Sequence, residues 1–376
     1  MMRRTRRTPD RAPLVLSATA LLLFLCTALL SCARSDSPMV IGAAGPWKEA
    51  YGEMNRLGIE LAAAEINARG GIMGRKLQVL MQDDEGKGER AAEIASEFVN
   101  TPHMLAVVGH VNSGAMVAAA RVYDGALAAV ATTATSPELT GISPWVFRVI
   151  SSDSANGIAL AKFASQLGRR RAAILYENNS YGRGLALSFE HNFAGEVVSI
   201  DPIPDGVSDL EPFVSYYAKQ GVDIVFSAGT DASGVALLRE ARRQNFRPVF
   251  LGGDGWTGIT SDTTAAEGVY VGAPFSAEDQ RPDAQRFVRA FRLKYGQVPD
   301  GNAALAYDAT MLVAEAIRIA GPDRRAIRDY LAGLTDKSGF HGVTGAIRFQ
   351  PDGDPVGKSF VMTRVVRGSL VVADVQ

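Results

Sequence analysis

The sequence predicts an α/β fold of two doubly wound parallel-sheet lobes, on three observations. From Pro38 onward, short apolar β-type runs alternate with helix-period segments, the pattern of parallel strands joined by crossover helices. The roughly 345 residues that follow Cys32 exceed the usual size of one hydrophobic core, which favours two domains. Those residues contain no further cysteine, so no internal disulfide holds the exported part and its stability must come from packed apolar layers.

Taken in order, the chain opens with Arg3, Arg4, Arg6, Arg7 and Arg11, followed by a stretch from Leu14 to Leu30 that is apolar except for Ser17, Thr19 and Thr27. A charged region leading into a hydrophobic one reads as a secretory signal over residues 1–31. The run ends in Leu29-Leu30-Ser31-Cys32, which resembles the bacterial lipobox, so Cys32 is the expected lipidated first residue of the mature protein. An uncleaved anchor is the competing reading, since seventeen residues only reach the lower limit of a spanning helix of ~17–25 residues. The short polar stretch up to Pro38 reads as a tether, giving residues 32–38 that role.

In the segment Glu53 to Arg69, Met54, Leu57, Leu61 and Ala64 keep three-to-four spacing and Gly70-Gly71 supplies a stop, which is an amphipathic helix. The strand Leu77–Met81 follows, then a helix with Ala91, Ile94, Ala95 and Phe98 on one face, then the strand Leu105–Val108. Later strands are expected at Leu127–Ala131, Ala172–Tyr176, Val197–Ile200, Asp223–Ser227 and Val249–Leu251. The last forty residues change character. Ala346–Phe349, the turn Pro351-Asp352-Gly353-Asp354 and two apolar runs joined at Arg367-Gly368 read as antiparallel β-structure.

The formal net charge of -1 includes a strongly basic signal, so the mature part is modestly acidic and nothing in it points to nucleic acid. His103, His110, His191 and His341 are dispersed, with no metal-ligand spacing, and no cofactor is implied. There is no Gly-x-Ser-x-Gly elbow and no cysteine nucleophile in the mature chain. Gly353-Asp354-Pro355-Val356-Gly357-Lys358-Ser359 resembles a phosphate loop but has one residue too few between its glycines and leads into a β-run, so it reads as a turn.

What remains is a set of turns at the carboxyl ends of strands, where open α/β sheets bind ligands. Gly109-His110-Val111-Asn112-Ser113-Gly114 could aim free N–H groups and the Ser113 hydroxyl at an anion. Thr132-Thr133-Ala134-Thr135-Ser136 offers further N–H, C=O and hydroxyl groups. Ordinary helix capping by Ser113 and Thr135 is the competing reading. Asp254, among glycines after a strand, is either an acceptor for a cation or a turn aspartate bonding its own backbone. Trp47, Tyr51, Tyr181, Trp256 and Tyr307 lie near similar loop ends, where aromatics are more often core than pocket.

These pieces stand in an order that resembles the periplasmic leucine/isoleucine/valine-binding proteins of bacterial ABC importers, in a lipoprotein form. The parts that carry the resemblance are Gly45-Pro46 leading to Tyr51-Gly52, Glu65 through Gly74, Gln82-Asp83-Asp84, Val108-Gly109-His110 through Ser113, Ala134 through Thr140, and Tyr181-Gly182-Arg183-Gly184.

The resemblance implies a type I periplasmic-binding-protein fold with three crossings, near Ser152, Pro274 and Ser338. Residues 39–152 and 275–338 would form the N-terminal lobe, and 153–274 and 339–376 the C-terminal one. It implies a non-enzymatic receptor that closes on an amino acid, branched-chain or similar, then docks on an ABC permease as a monomer at the periplasm or cell surface. Ser113 and Thr135 would hold the ligand carboxylate, with Thr135, the Thr133 carbonyl and Asp254 at the ammonium. Tyr51 and Tyr181 match cleft aromatics, while Trp47 and Trp256 are candidates by position only. Three features depart from the family. Asp254 stands where the branched-chain receptors have Glu, a second-lobe aromatic is replaced within Ser227–Asp231, and Asn112 occupies a disulfide position. A receptor for an amide, urea or aromatic acid, or a sensory or envelope lipoprotein of the same fold, are the rival expectations.

Overall fold

Two parallel sheets organise the chain. The computed structural model describes Met1 and residues 37–204, 209–335 and 338–373, and Met39–Gln376 forms a unit separate from Met1–Pro38. The signal segment and Cys32 lie outside the described residues.

The first sheet takes β1 (Met39–Gly45), β2 (Leu77–Asp83), β3 (Met104–Gly109), β4 (Ala128–Ala131) and β5 (Val146–Arg148), in the order β2-β1-β3-β4-β5. All four pairings are parallel. Between them run α1 (Ala50–Ala68), α2 (Gly88–Asn100) and α3 (Ser113–Tyr123). Every residue of β3 and β4 is buried, as expected of strands covered on both faces. The strand order reverses between β1 and β3, and the loops leaving those two strands open a crevice there.

After Arg148 the chain enters the second lobe through α4 (Asp153–Gln166) and builds a matching unit. It comprises β6 (Arg171–Glu177), α5 (Ser180–Asn192), β7 (Glu196–Ile203), α6 (Glu211–Lys219), β8 (Ile224–Ala228), α7 (Asp231–Arg243), β9 (Val249–Gly252), α8 (Thr263–Ala266) and β10 (Tyr270–Ala273). Here the order reverses between β6 and β8, so this sheet also has a switch point at its carboxyl edge.

The return to the first lobe is made by α9 (Pro282–Tyr295) and α10 (Gly301–Ala320), followed by α11 (Arg324–Ala332). α1 and α10 lie against one another, with Ile59 and Ile66 in a common core with Leu305 and Leu312. A Cβ at Gly58 would stand 2.2 Å from the Ala303 carbonyl oxygen, so only glycine permits this approach. On the other side of α1, Leu57 and Leu61 pack with Phe287, Phe291 and Tyr307.

The hairpin of β11 (Phe340–Gly342) and β12 (Gly345–Ile347) stays with this lobe. The Asp308 carboxylate on α10 accepts the backbone N–H groups of Val343 (2.7 Å) and Thr344 (2.8 Å). Phe349 packs on Phe147, and Arg148 pairs with Asp354 at 2.6 Å. Only β13 (Val361–Val366) and β14 (Ser369–Val372) join the second sheet, both antiparallel. The third crossing therefore falls between Asp354 and Val361 and not near Ser338, and residues 339–354 pack with the first lobe. The hydrogen-bonding demand of Asp308 and the apolar face of Phe349 hold them there, neither of which shows in local periodicity. Among the described residues no helix is long and apolar enough to cross a membrane.

Candidate functional site

The two switch points face one cleft, lined by Tyr51, Val111, Asn112, Ser113 and Thr133 together with Tyr181, Thr230, Asp254, Gly255 and Asn302. The first-lobe wall begins where β3 ends. Gly109 has φ +107° and a Cβ there would lie 2.3 Å from the Ala44 carbonyl oxygen, so the turn requires glycine. The next residue, His110, is fully buried and anchored from both ring nitrogens. Nδ1 lies 2.6 Å from an Asp84 carboxylate oxygen and Nε2 lies 3.0 Å from the Tyr123 hydroxyl. This anchor fixes the backbone that carries Val111, Asn112 and Ser113 to the cleft.

Ser113 is the first residue of α3, and Asn112 occupies the cap position without a side-chain capping bond. The Ser113 hydroxyl oxygen accepts from the backbone N–H groups of Thr135 and Ser136, each at 3.1 Å. A hydroxyl has two acceptor lone pairs and one proton, so Ser113 retains only donation. It ties the loop after β4 to the start of α3 and offers its proton to an acceptor in the cleft.

The loop after β4 is held by Arg148, whose buried guanidinium donates to the carbonyls of Thr135 and Ser136 (2.9 Å each) and to Thr140 Oγ1 (2.7 Å). Thr133 lines the cleft, and its hydroxyl donates to the Val111 carbonyl at 3.2 Å. Thr135 caps no helix; the cap of the following 3₁₀ turn is Ser136. Its buried hydroxyl lies beside Asp153, yet neither it nor either Asp153 carboxylate oxygen has a partner in hydrogen-bonding geometry.

From the second lobe, the Tyr181 hydroxyl donates to Asp254 Oδ1 at 3.0 Å and accepts from the Gly255 N–H at 2.9 Å. Burial pushes the Asp254 carboxyl up to about 6 against the bonds it accepts. Asp153, the first residue of α4, is held well above the carboxylate range by burial first and by the charge of Asp254 second. Burial followed by the same carboxylate raises the Tyr181 hydroxyl. Two buried carboxylates thus stand near one another with no cation among the lining residues.

Of the eight residues singled out in the sequence, Tyr51, Ser113, Thr133, Tyr181 and Asp254 line the cleft, and Thr135 sits behind its wall. Trp256 does not belong to the cleft. It is fully buried among Leu237, Leu238 and Ile259, because Gly252 and Gly234 leave room for the indole; a Cβ at either would lie within 2.4 Å of it. Trp47 packs over Gly45 beside Val111 and is not among the lining residues.

Sequence reasoning missed Asp153, Arg148, Thr230 and Asn302. Thr230 follows β8 at a strand-to-helix turn and could have been found on that ground. Asn302 comes to the cleft, and Arg148 and Asp153 to buried places behind its wall, by packing that carries no local signal. The described residues contain no group of three or more His, Cys, Asp or Glu placed to hold a metal ion.

The pattern of the periplasmic binding protein family matches residues 38–369. The Leu/Ile/Val-binding protein of Citrobacter freundii is 30% identical over 353 residues, covering 90% of this chain and 94% of that protein. The branched-chain amino acid transporter substrate binding protein LivJ of Streptococcus pneumoniae, solved in complex with isoleucine, is 28% identical. It superposes with a TM-score of 0.84 over 90% of this chain and 99% of its own. An ABC transporter substrate-binding protein of Desulfitobacterium hafniense, solved with Leu, is 33% identical with a TM-score of 0.78, covering 90% of this chain and 100% of that one. Because sequence and fold agree along almost the whole described length, the chain belongs to the periplasmic binding protein family.

Proposed function

We propose that this protein is the extracytoplasmic solute-binding lipoprotein of an ABC importer, and that it holds an α-amino acid between its lobes. The observation that carries the reading is the pairing of two unmet demands in one cleft. Ser113 has only a proton to give, and Asp254 is buried with no Lys or Arg among the described residues that line the cleft. A zwitterion answers both, its carboxylate accepting from Ser113 and its ammonium neutralising Asp254 while bonding Thr135 and the Thr133 carbonyl.

The names of the relatives point the same way: the Citrobacter freundii protein is called Leu/Ile/Val-binding, and the LivJ structure holds isoleucine. Groups on Tyr181 and Asp254 come from one lobe and those on Ser113 and Thr133 from the other, so binding and lobe closure are one event. The reading calls for no bond-making step and hence no enzyme. Residues 1–31 would serve as the export signal and lipid on Cys32 as the tether that keeps a monomeric receptor near its permease.

A thermal-shift screen of the purified protein against amino acids, amides and aromatic acids tests this. A hundredfold excess over Kd should stabilise by ~2.7 kcal/mol. Shifts given only by uncharged amides or by plain acids overturn the amino-acid assignment.

A further inference from the structure

Resting on the amino-acid reading above, we propose that the side-chain end of the cleft selects a ligand side chain that donates hydrogen bonds (a hydroxyl, amide or ammonium) over a branched aliphatic or acidic one. With Ser113, Thr133, Tyr181 and Asp254 engaged by the head group, the remaining wall has Val111 as its single aliphatic side chain; the other side chains there are Tyr51, Asn112, Thr230 and Asn302.

Asn302 is the most constrained of these. It is 8% exposed. Its amide nitrogen donates to Thr257 Oγ1 and to Asp300 Oδ2, each at 3.0 Å. Asp300 also accepts the Ala303 N–H at the start of α10 (3.0 Å). A carboxylate only accepts, so the Asn302 amide cannot be turned round, and both of its N–H groups are used. Its Oδ1 is the polar atom left over in the cleft wall, and it can only accept.

Thr230 is set the same way. Its hydroxyl donates to Glu177 Oε1 at 2.6 Å, and that oxygen is also bonded by the Thr230 N–H (2.8 Å) and the Ser233 hydroxyl (2.8 Å). Having given its proton to Glu177, Thr230 Oγ1 also faces the cleft as an acceptor.

The donors on the opposite wall are Tyr51 Oη, which accepts from Asn112 Nδ2 at 3.0 Å and keeps its own proton, and the second N–H of that amide. Among the described residues no Lys or Arg lines the cleft. Asp231 and Asp300 stand near this end; burial, with the charge of Asp300 next, lifts the Asp231 carboxyl to about 8, so near pH 7 it is mostly protonated and no cation is offered there. An acidic side chain would meet acceptors and no basic partner here, and a leucine or valine side chain would bury Asn302 Oδ1 and Thr230 Oγ1 with no proton to accept. Leaving a buried acceptor unmet lowers affinity by about tenfold or more.

Calorimetric titration of the purified protein with two near-isosteric pairs and one of opposite charge tests the assignment: threonine against valine, asparagine against leucine, and lysine against glutamate. The donor of each pair is expected to bind about tenfold tighter or better. In Asn302→Leu, and separately in the isosteric Thr230→Val should the first variant fail to fold, the preference is expected to fall by about tenfold. Valine, leucine or glutamate binding as tightly as its partner overturns the inference and leaves the amino-acid reading standing, as does a preference unchanged in a folded variant. If no amino acid binds at all, the amino-acid reading itself fails, and this inference with it.

Discussion

Replacing Asp254 by Asn separates affinity from stability, because the two should move in opposite directions. In the ligand-free protein the carboxyl is buried and its affinity for protons is raised from 3.8 to about 6. A carboxyl whose folded value is raised destabilises the fold once ionised. Its full stability is present below about 3.8 and is lost as pH rises through about 6. The shift of about 2 units corresponds to a penalty of up to about 3 kcal/mol at pH 7. The amide has the same shape, and its oxygen can still accept from Tyr181, but its NH₂ group must find a partner, which returns about 1–2 kcal/mol of the gain.

The net expectation is a ligand-free melting temperature higher by about 1–3 °C at pH 7. Binding goes the other way. Removing the charged partner of a desolvated ammonium costs about 2–5 kcal/mol, or roughly 30- to 4000-fold in Kd. Differential scanning calorimetry of the ligand-free variant, beside titration with the preferred amino acid, measures both. A parallel fall in melting temperature, or a loss of affinity below about threefold, would refute the ammonium role.

Three further outcomes follow from the same geometry. Protonating Asp254 removes the ammonium's counter-charge, so Kd should rise by about tenfold per unit as pH falls below about 6, a dependence that titrations across pH 7 to 4.5 should find missing in Asp254→Asn. Gly58→Ala drives a Cβ into the Ala303 carbonyl 2.2 Å away and should lower stability by about 1–3 kcal/mol in chemical denaturation, by forcing α1 from α10. Cys32→Ser should release the protein from membranes in a fractionation assay while leaving amino-acid affinity unchanged, since no cleft residue precedes Tyr51.

Local pattern was enough to show the alternating elements. The expected strands at Leu105–Val108 and Ala172–Tyr176 lie within β3 and β6, because fully buried parallel strands are continuous apolar runs bounded by turn residues. Ser113 and Asp254 were visible for a related reason: each follows a strand at its carboxyl end, where the topology opens a crevice. Asp153 was not visible, since it is buried where the start of α4 meets the loop after β4, its N–H donating to the Thr135 carbonyl at 2.9 Å. Asn302 begins a helix with no strand before it and comes to the cleft through the contact of α10 with α1, over two hundred residues away in sequence. Trp256 misled because a tryptophan in a glycine-rich loop reads as open to a ligand, whereas the missing Cβ atoms of Gly252 and Gly234 make its place inside the core. The third crossing was set too early for want of any local sign that Asp308 would claim the backbone of Val343 and Thr344.

On the proposed function one cleft holds both charges of an amino acid, Ser113 from one lobe and Asp254 from the other. Calorimetric titration with the preferred L-amino acid and with the same molecule lacking its α-amino group tests this most directly. Saturable binding of the amino acid is expected, with an affinity for the deaminated acid at least about 30-fold weaker. Equal affinity for the two would contradict it.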